Sequence, residues 1–554
     1  MKEKMFTIGI DYGTDSVRAI LVNTSDGSIL GSSIQEYKRW NKKLWCDAKN
    51  KKYRQHPDDY IEGLEIVLKD IVRQCPDSNL IKSIAIDATS STPCIIDKHC
   101  SPLCLYNKYA NNPDAMFFLW KDHTATKEAE IITQACIANK VNYAIHSGGT
   151  YLPEFFWTKI IHALNSSPEL IADAYTAIEL CDWISNTLTG CKETSQMVLN
   201  SCSASVKMMW DNSWGGFPPE DFLGKICPNI IPILQNMPRN IKPTWQPIGT
   251  LSKEWAEKTG LNENIIIGAG NVDSYAGAIG AGINDGKLIL NIGTSSCYMA
   301  VMPIERSTKS DYNDLNITGV FGQAKDSILP NRYGYETGLS AFGDLFRWFE
   351  NLLLWPTKLI NNKVNSTEIE RELRENILNQ LTIEAQNLEI NLDTLYATDN
   401  FNGRRCPNPN SNIKAAIEGL TLSTSPAEIF YALAEAAVFA TRRIANYMEE
   451  NGVAINKFIC IGGITLKSPF IMQLLADATN HEIFVPNSSQ GCALGAAITA
   501  SVAGGIHQTI TEAQNAMTTK NGVIYSPDRT KYNILSARYK RYLQIIKNIE
   551  DIDN

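Results

Sequence analysis

The chain has little of what marks a nucleic-acid or membrane protein. Its 51 Lys and Arg are outnumbered by 59 Asp and Glu, a formal charge of −8, so it carries no basic footprint for nucleic acid or an anionic bilayer. No uncharged apolar run approaches the length that spans a membrane. Met1-Lys2-Glu3-Lys4-Met5 leads into a strand instead of a long apolar run, so no secretory leader is expected. None of the 14 cysteines forms a Cys-x-x-Cys pair, and scattered thiols in a long chain are expected to be reduced. Together these absences predict a cytoplasmic protein that handles small molecules. Also missing are G-x-x-x-x-G-K-S/T, H-R-D, H-E-x-x-H and G-x-S-x-G, which makes P-loop and protein-kinase readings poor.

What is present begins with size. A chain of 554 residues exceeds what one hydrophobic core usually supports, so two large domains are expected. A short pattern then occurs twice: Asp11-Tyr12-Gly13-Thr14-Asp15-Ser16-Val17-Arg18, and Ile292-Gly293-Thr294-Ser295. Each copy lies between apolar β-type stretches and reads as a tight hairpin turn. Glycine lets backbone N–H groups approach an anion, and the hydroxyls add donors, so the turn can cradle phosphate. Such residues also fill ordinary turns, and the duplication is what favours phosphate.

Around these turns the chain predicts α/β architecture. Strands are expected at Phe6 to Asp11, Val17 to Asn23 and Ile29 to Tyr37, then a helix from about Asp58 to Gln74 with Ile61, Leu64, Ile66, Leu68 and Ile71 on its apolar face. Another strand, Ile84-Ala85-Ile86, ends in Asp87-Ala88-Thr89-Ser90-Ser91-Thr92. The second half repeats the scheme, with hairpin strands at Lys287 to Ile292 and Cys297 to Met302. A helix there is punctuated by Ser425, Pro426 and Glu428 at its start and Asn451-Gly452 at its end. A strand at Phe458 to Ile461 runs into Gly462-Gly463, followed by a helix at Ser468 to Thr479, a strand at Glu482 to Val485 and a helix at Ala493 to Val502. The expected boundary lies near Gly268-Ala269-Gly270, giving domains 1–268 and 269–554. The small residues at 276–282 suit either a hinge or a close-packed helix. The segment from Lys531 to Ile552 reads as a surface helix.

Phosphoryl transfer needs phosphate donors, a carboxylate near Mg²⁺ and a base for the acceptor hydroxyl. Asp11 ends the first strand where it can hold Mg²⁺ directly or through water. Asp273 opens the small-residue helix and reads either as that base or as a helix N-cap. Gly462-Gly463, between strand and helix, would let an adenosine moiety lie against backbone.

These residues resemble the FGGY carbohydrate kinases, which share the duplicated, ribonuclease H-like fold of sugar kinases, actin and the Hsp70 ATPase. The resemblance runs nearly end to end. It implies two such α/β domains with a cleft between them, and ATP and Mg²⁺ as cofactors. It further implies Asp273 as the catalytic base and an ATP site at Gly13, Thr14, Asp15, Ser16, Arg18, Gly293, Thr294, Ser295, Gly338, Gly462 and Gly463. The sugar is implied to be bound by Lys207, Asp273 and Glu336 together with Thr89, Ser90, Ser91, Lys121 and Asp122. Four segments resemble the branch acting on L-ribulose in L-arabinose breakdown: 39–43 with 54–57, 119–125, 333–338 and 491–497. This implies a pentulose substrate and suggests a homodimer. Other expectations weighed are D-ribulose, ribitol or D-xylulose as acceptor, a binding protein or chaperone without sugar chemistry, and a sugar sensor that has lost turnover. Asp15 adds negative charge where relatives carry Thr and is expected to turn away or act through Mg²⁺. Residues 464–469 depart from relatives that often place Asn there.

Overall fold

The computed structural model describes residues 4–306, 315–359, 363–488 and 490–553. Met1, Lys2 and Glu3 of the amino-terminal stretch lie outside these residues. Two compact units emerge. The first comprises Met1–Asn284, Val301–Tyr335 and Gln490–Thr519, and the second Asp285–Ala300, Glu336–Ser489 and Lys520–Asn554. The first division therefore falls after Asn284, beyond the expected 268. No helix among the described residues is long and apolar enough to cross a membrane.

The first unit is built on strands β1 (Phe6–Tyr12), β2 (Ser16–Asn23) and β3 (Ile29–Glu36), helix α1 (Pro57–Gln74), and strands β4 (Ile81–Ala88), β5 (Pro247–Thr250), β6 (Ile266–Gly268) and β7 (Asn271–Val272). The sheet order is β5-β6-β4-β1-β2-β3, with β7 also on β4. β1 is antiparallel to β2 and parallel to β4. The α1 start is dictated locally: His56 Nδ1 accepts from Asp58 N at 3.2 Å and Pro57 occupies the first turn. Its buried face consists of Tyr60, Gly63, Leu64, Val67, Leu68 and Ile71. Ile61 and Ile66, expected on that face, sit only half-buried on its flanks, because a 3.6-residue period centred on Leu64 and Leu68 brings Val67 inward instead.

Helix α2 (Asp273–Gly280) completes this part of the chain, and the second sheet follows: β8 (Gly286–Ile292), β9 (Ser296–Pro303), β10 (Arg332–Leu339), helix α3 (Pro426–Glu450), β11 (Ile455–Ile461) and β12 (Ile483–Pro486). Beyond it come α4 (Gly491–Ala503), β13 (Gly522–Tyr525) and α5 (Arg529–Asp553). The strands run β10-β9-β8-β11-β12-β13. β8 is antiparallel to β9 and parallel to β11, β11 is parallel to β12, and β12 is antiparallel to β13. Gly322–Lys325 adds a seventh strand beside β10; the other six repeat the path of the first sheet, apart from β7, so the duplicated turns sit at equivalent hairpins. The capping box on α3 forms as its sequence dictates: Ser425 Oγ accepts from Glu428 N, and Glu428 Oε2 accepts from Ser425 N at 2.7 Å.

Helix α5 keeps an exposed face, with Lys531, Asn533, Lys540 and Arg541 in solvent, as expected of a surface helix, but it also buries Leu535, Arg538, Tyr539, Tyr542, Ile545 and Ile546, and Arg538 forms a two-pronged pair with Glu435 of α3. A charged residue masked this buried stripe in the sequence. α4, expected with the second half, belongs to the first unit. There the small residues of α2 are a packing surface and not a hinge. A Cβ on Gly280 would lie 2.1 Å from Gly491 O, and one on Gly495 would lie 1.7 Å from Ala276 O, so the two helices touch backbone to backbone. Gly270 is likewise packed, its missing Cβ falling 2.8 Å from the Cys181 backbone.

Candidate active site

In the first unit, parallel pairing gathers carboxylates at one sheet end. Asp11 is in register with Asp87 across β1 and β4, and Asp87 is in register with Asn271 across β4 and β7. Asp273 follows two residues later as the first residue of α2. Asp87 is fully buried, and neither of its carboxylate oxygens accepts a hydrogen bond from the described residues. Burial, followed by the charges of Asp11 and Asp273, pushes its carboxyl well above the usual range. Burial also raises Asp11, against the opposing pull of Arg18, whose Nε lies 3.3 Å away. Asp11, Asp87 and Cys492 place donor atoms within 4.8 Å of one another. The two carboxylates, one with orphaned oxygens, suit a hard cation such as Mg²⁺. The Cys492 thiol does not, being soft and kept protonated by burial.

Asp273 is half-buried, and its Oδ1 accepts from Ser274 N at 2.7 Å. The N-cap of α2 is Val272, without a side-chain cap bond. Asp273 is thus the first residue of the helix and not its N-cap, while its Oδ1 serves the first-turn amide of Ser274.

The first turn is held from outside. Gly13 N donates to Ser16 O at 3.0 Å. Gln55 Nε2 donates to Thr14 O at 2.7 Å, and Trp120 Nε1 to Thr14 Oγ1 at 3.0 Å. Asp15 accepts from Trp40 Nε1 at 2.6 Å. Lys121 joins this group: its Nζ lies 4.9 Å from the Tyr53 ring and 5.3 Å from Trp40, and burial lowers its pKa while Asp15 opposes.

Asp122, expected to touch sugar, is committed elsewhere. It is fully buried and ion-paired with Arg54. It also accepts from Tyr53 N at 2.6 Å, and from Thr124 N at 3.0 Å and Thr124 Oγ1 at 2.6 Å. With both oxygens saturated it has nothing to offer a ligand; it locks its own turn.

Lys207 lies near the end of the Ser201–Met208 helix, which Asn200 caps by accepting from Ser203 N at 2.7 Å. It is not a surface charge: only 3% of it is exposed, and its Nζ stands 4.8 Å from the Phe155 ring and 5.9 Å from Phe321. Thr89, Ser90 and Ser91 form a largely buried turn. Thr89 Oγ1 bonds Thr92 Oγ1 at 3.1 Å, Ser91 Oγ donates to Glu179, and Ser90 Oγ has no hydrogen-bond partner among the described residues.

In the second unit, Gly293 N donates to Ser295 O at 2.9 Å, while Phe342 N and Asp344 N donate to Thr294 O. The Thr294 side chain is exposed. At the position equivalent to Asp11 this hairpin carries Asn291, whose register partner is Ile461, so the acidic cluster is not duplicated. Gly462 has φ +103, and a Cβ there would sit 2.4 Å from Ile292 O, whereas Gly463 faces open space. Gly338 is explained by packing, its absent Cβ lying 2.0 Å from Ser296 O. Glu336 is buried and accepts from Cys297 Sγ at 3.2 Å.

Sequence reasoning passed over Asp87 and Cys492 as site members. Asp87 was legible as a carboxylate ending an apolar strand, as Asp11 does; Cys492 carried no signal of its own.

The chain is similar to known proteins over nearly its whole length. Residues 6–280 match the FGGY family of carbohydrate kinases, N-terminal domain, and residues 288–504 its C-terminal domain. The chain belongs to the FGGY family of carbohydrate kinases and is a phosphotransferase. It is 36% identical to a ribulokinase of Vibrio parahaemolyticus over 549 residues, 98% of this chain and 96% of that one. It is 31% identical to a ribulokinase of Shouchella clausii over 554 residues, covering 98% and 95%. A solved xylulose kinase from Rhodospirillum rubrum shares the fold, with a TM-score of 0.77 at 19% identity and 99% coverage of each chain.

Proposed function

We propose that this kinase transfers the γ-phosphoryl group of ATP to a terminal hydroxyl of a ketopentose, with L-ribulose as the preferred acceptor and L-ribulose 5-phosphate as the product. The observation that carries this reading is Asp273: a half-buried carboxylate that opens α2, its Oδ1 on the Ser274 amide, next to the sheet end where Asp11 and Asp87 gather. Asp273 takes the proton of the sugar hydroxyl as that oxygen attacks phosphorus. Lys207 and Glu336 hold sugar hydroxyls, and the Gly13-Thr14 and Gly293-Thr294 turns hold phosphates. Asp11 and Asp87 would hold Mg²⁺, which when bound neutralises phosphate charge. The choice of L-ribulose over D-ribulose, ribitol or D-xylulose is supported by relatives named ribulokinase.

The test is Asp273→Asn in a coupled ADP-release assay over these four acceptors. The variant should lose on the order of 10²–10⁴ in kcat, the usual range for a general base. Persistence of near-wild-type turnover would sink the assignment, and a higher kcat/KM for another acceptor would replace L-ribulose.

A further inference from the structure

Beneath the Thr89–Ser91 turn lie two buried groups of opposite charge that the chemistry above does not use. Lys159, on the Phe156–Ser166 helix, and Glu179, ending the Thr176–Glu179 strand, are both fully buried. The strand Pro93–Ile96 pairs antiparallel with Thr176–Glu179, and Pro93 is the register partner of Glu179. This pairing fixes the carboxylate beside Ser91 and Thr92. Glu179 accepts from Ser91 Oγ, and from Thr92 N at 2.8 Å. Lys159 Nζ donates to Ser91 O at 2.6 Å and to Leu119 O at 3.1 Å. Leu119 O also accepts from Asp122 N at 2.9 Å, so the second carbonyl belongs to the turn that contains Lys121. One ammonium thus bridges two loops, 89–92 and 119–122, from below.

Burying an ammonium is costly unless its hydrogen bonds are made. A fold that needed only to fill this space would place an apolar side chain there. We infer that Lys159 is a positioning residue: by joining the carbonyls of Ser91 and Leu119 it sets the spacing of two loops on the sugar side, and so sets sugar affinity. The inference rests on the proposed sugar-kinase reading, in which the Thr89–Ser91 turn and Lys121 border the acceptor. The environment is consistent, since burial lowers the Lys159 pKa to about 7 against the pull of Glu179 and Glu154, with Arg54 and Lys207 adding to the lowering.

The experiment uses Lys159→Met, which keeps length and removes the ammonium, and Lys159→Met with Glu179→Gln, which also removes the carboxylate left without a counter-ion. Wild-type protein is first assayed with pentuloses; absence of phosphorylation there defeats the functional reading itself, independently of Lys159. Sugar Kd is then measured by calorimetry without nucleotide, with KM for sugar and for ATP and the unfolding midpoint alongside. In a variant that folds, sugar Kd and sugar KM should rise about tenfold or more, equivalent to about 1.4 kcal/mol, while ATP KM stays within about twofold. Sugar Kd within about twofold of wild type, or equal rises in both KM values, overturns the inference. Loss of the fold in both variants also overturns it, by assigning the pair to stability alone.

Discussion

Asp11 and Asp87 stand in register across two parallel strands; burial raises both carboxyls, and the charge of Asp11 raises Asp87 further. Two adjacent buried carboxylates are unfavourable unless a proton or a cation sits between them. Asp87→Asn removes one charge at nearly constant shape. The Mg²⁺ concentration for half-maximal activity should rise about tenfold or more, as when a ligand to a hard cation is lost, while the thermal midpoint stays level or rises. A magnesium titration of the coupled assay reads this directly; an unchanged dependence excludes Asp87 from the cation site.

The contact of α2 with α4 tolerates no added atoms. Gly495→Ala would force its methyl against Ala276 O, and because backbone cannot yield as a side-chain tip can, it should cost about 3 kcal/mol or more. Gly463→Ala is the control, since open space surrounds that position. Denaturant unfolding of the two variants should separate them clearly, and similar midpoints would contradict the close packing.

Arg538 and Glu435 form a buried bidentate pair at 2.6 and 2.7 Å. Arg538→Met leaves the carboxylate uncompensated and should destabilise by about 3–5 kcal/mol. Adding Glu435→Gln should restore part of that loss, since the stranded charge is gone. Equal midpoints for the single and double variants in urea would show that the pair acts only by packing.

Asp182 is buried and accepts from Asn200 N and Nδ2, both at 2.8 Å, yet burial pushes its pKa from 3.8 up to about 8. The folded state therefore holds an extra proton between those values, and its stability falls as pH rises through that window. Asp182→Asn removes the titration. The difference in thermal midpoint, variant minus wild type, should move in favour of the variant from pH 5 to pH 8.5, as followed by scanning fluorimetry. A difference that does not change with pH would place the folded pKa near its ordinary value.

What was legible in the sequence follows the range of the forces involved. The hairpin at Gly13-Thr14, the start of α1 at Pro57 and the capping box at Ser425 and Glu428 are made by neighbours in the chain, so their residues announce them. Asp11 and Asp273 were legible because each stands at the end or start of such a local element. The apolar face of α1 was only partly legible, since a period fixes which residues share a face but not which face the sheet will cover.

The sequence by itself determined two duplicated hairpins, their flanking helices and the carboxylate opening α2, because turns, caps and periodicity depend on hydrogen bonds a few residues long. Only the tertiary structure decided that Asp87 stands beside Asp11, that Asp122 is spent on Arg54, that α4 belongs with the first unit and that Lys159 bridges two loops. Each of these depends on parallel strand register or backbone-to-backbone packing between residues far apart in the chain. Such pairings are chosen by the burial of the whole unit and leave no local mark on the residues that make them.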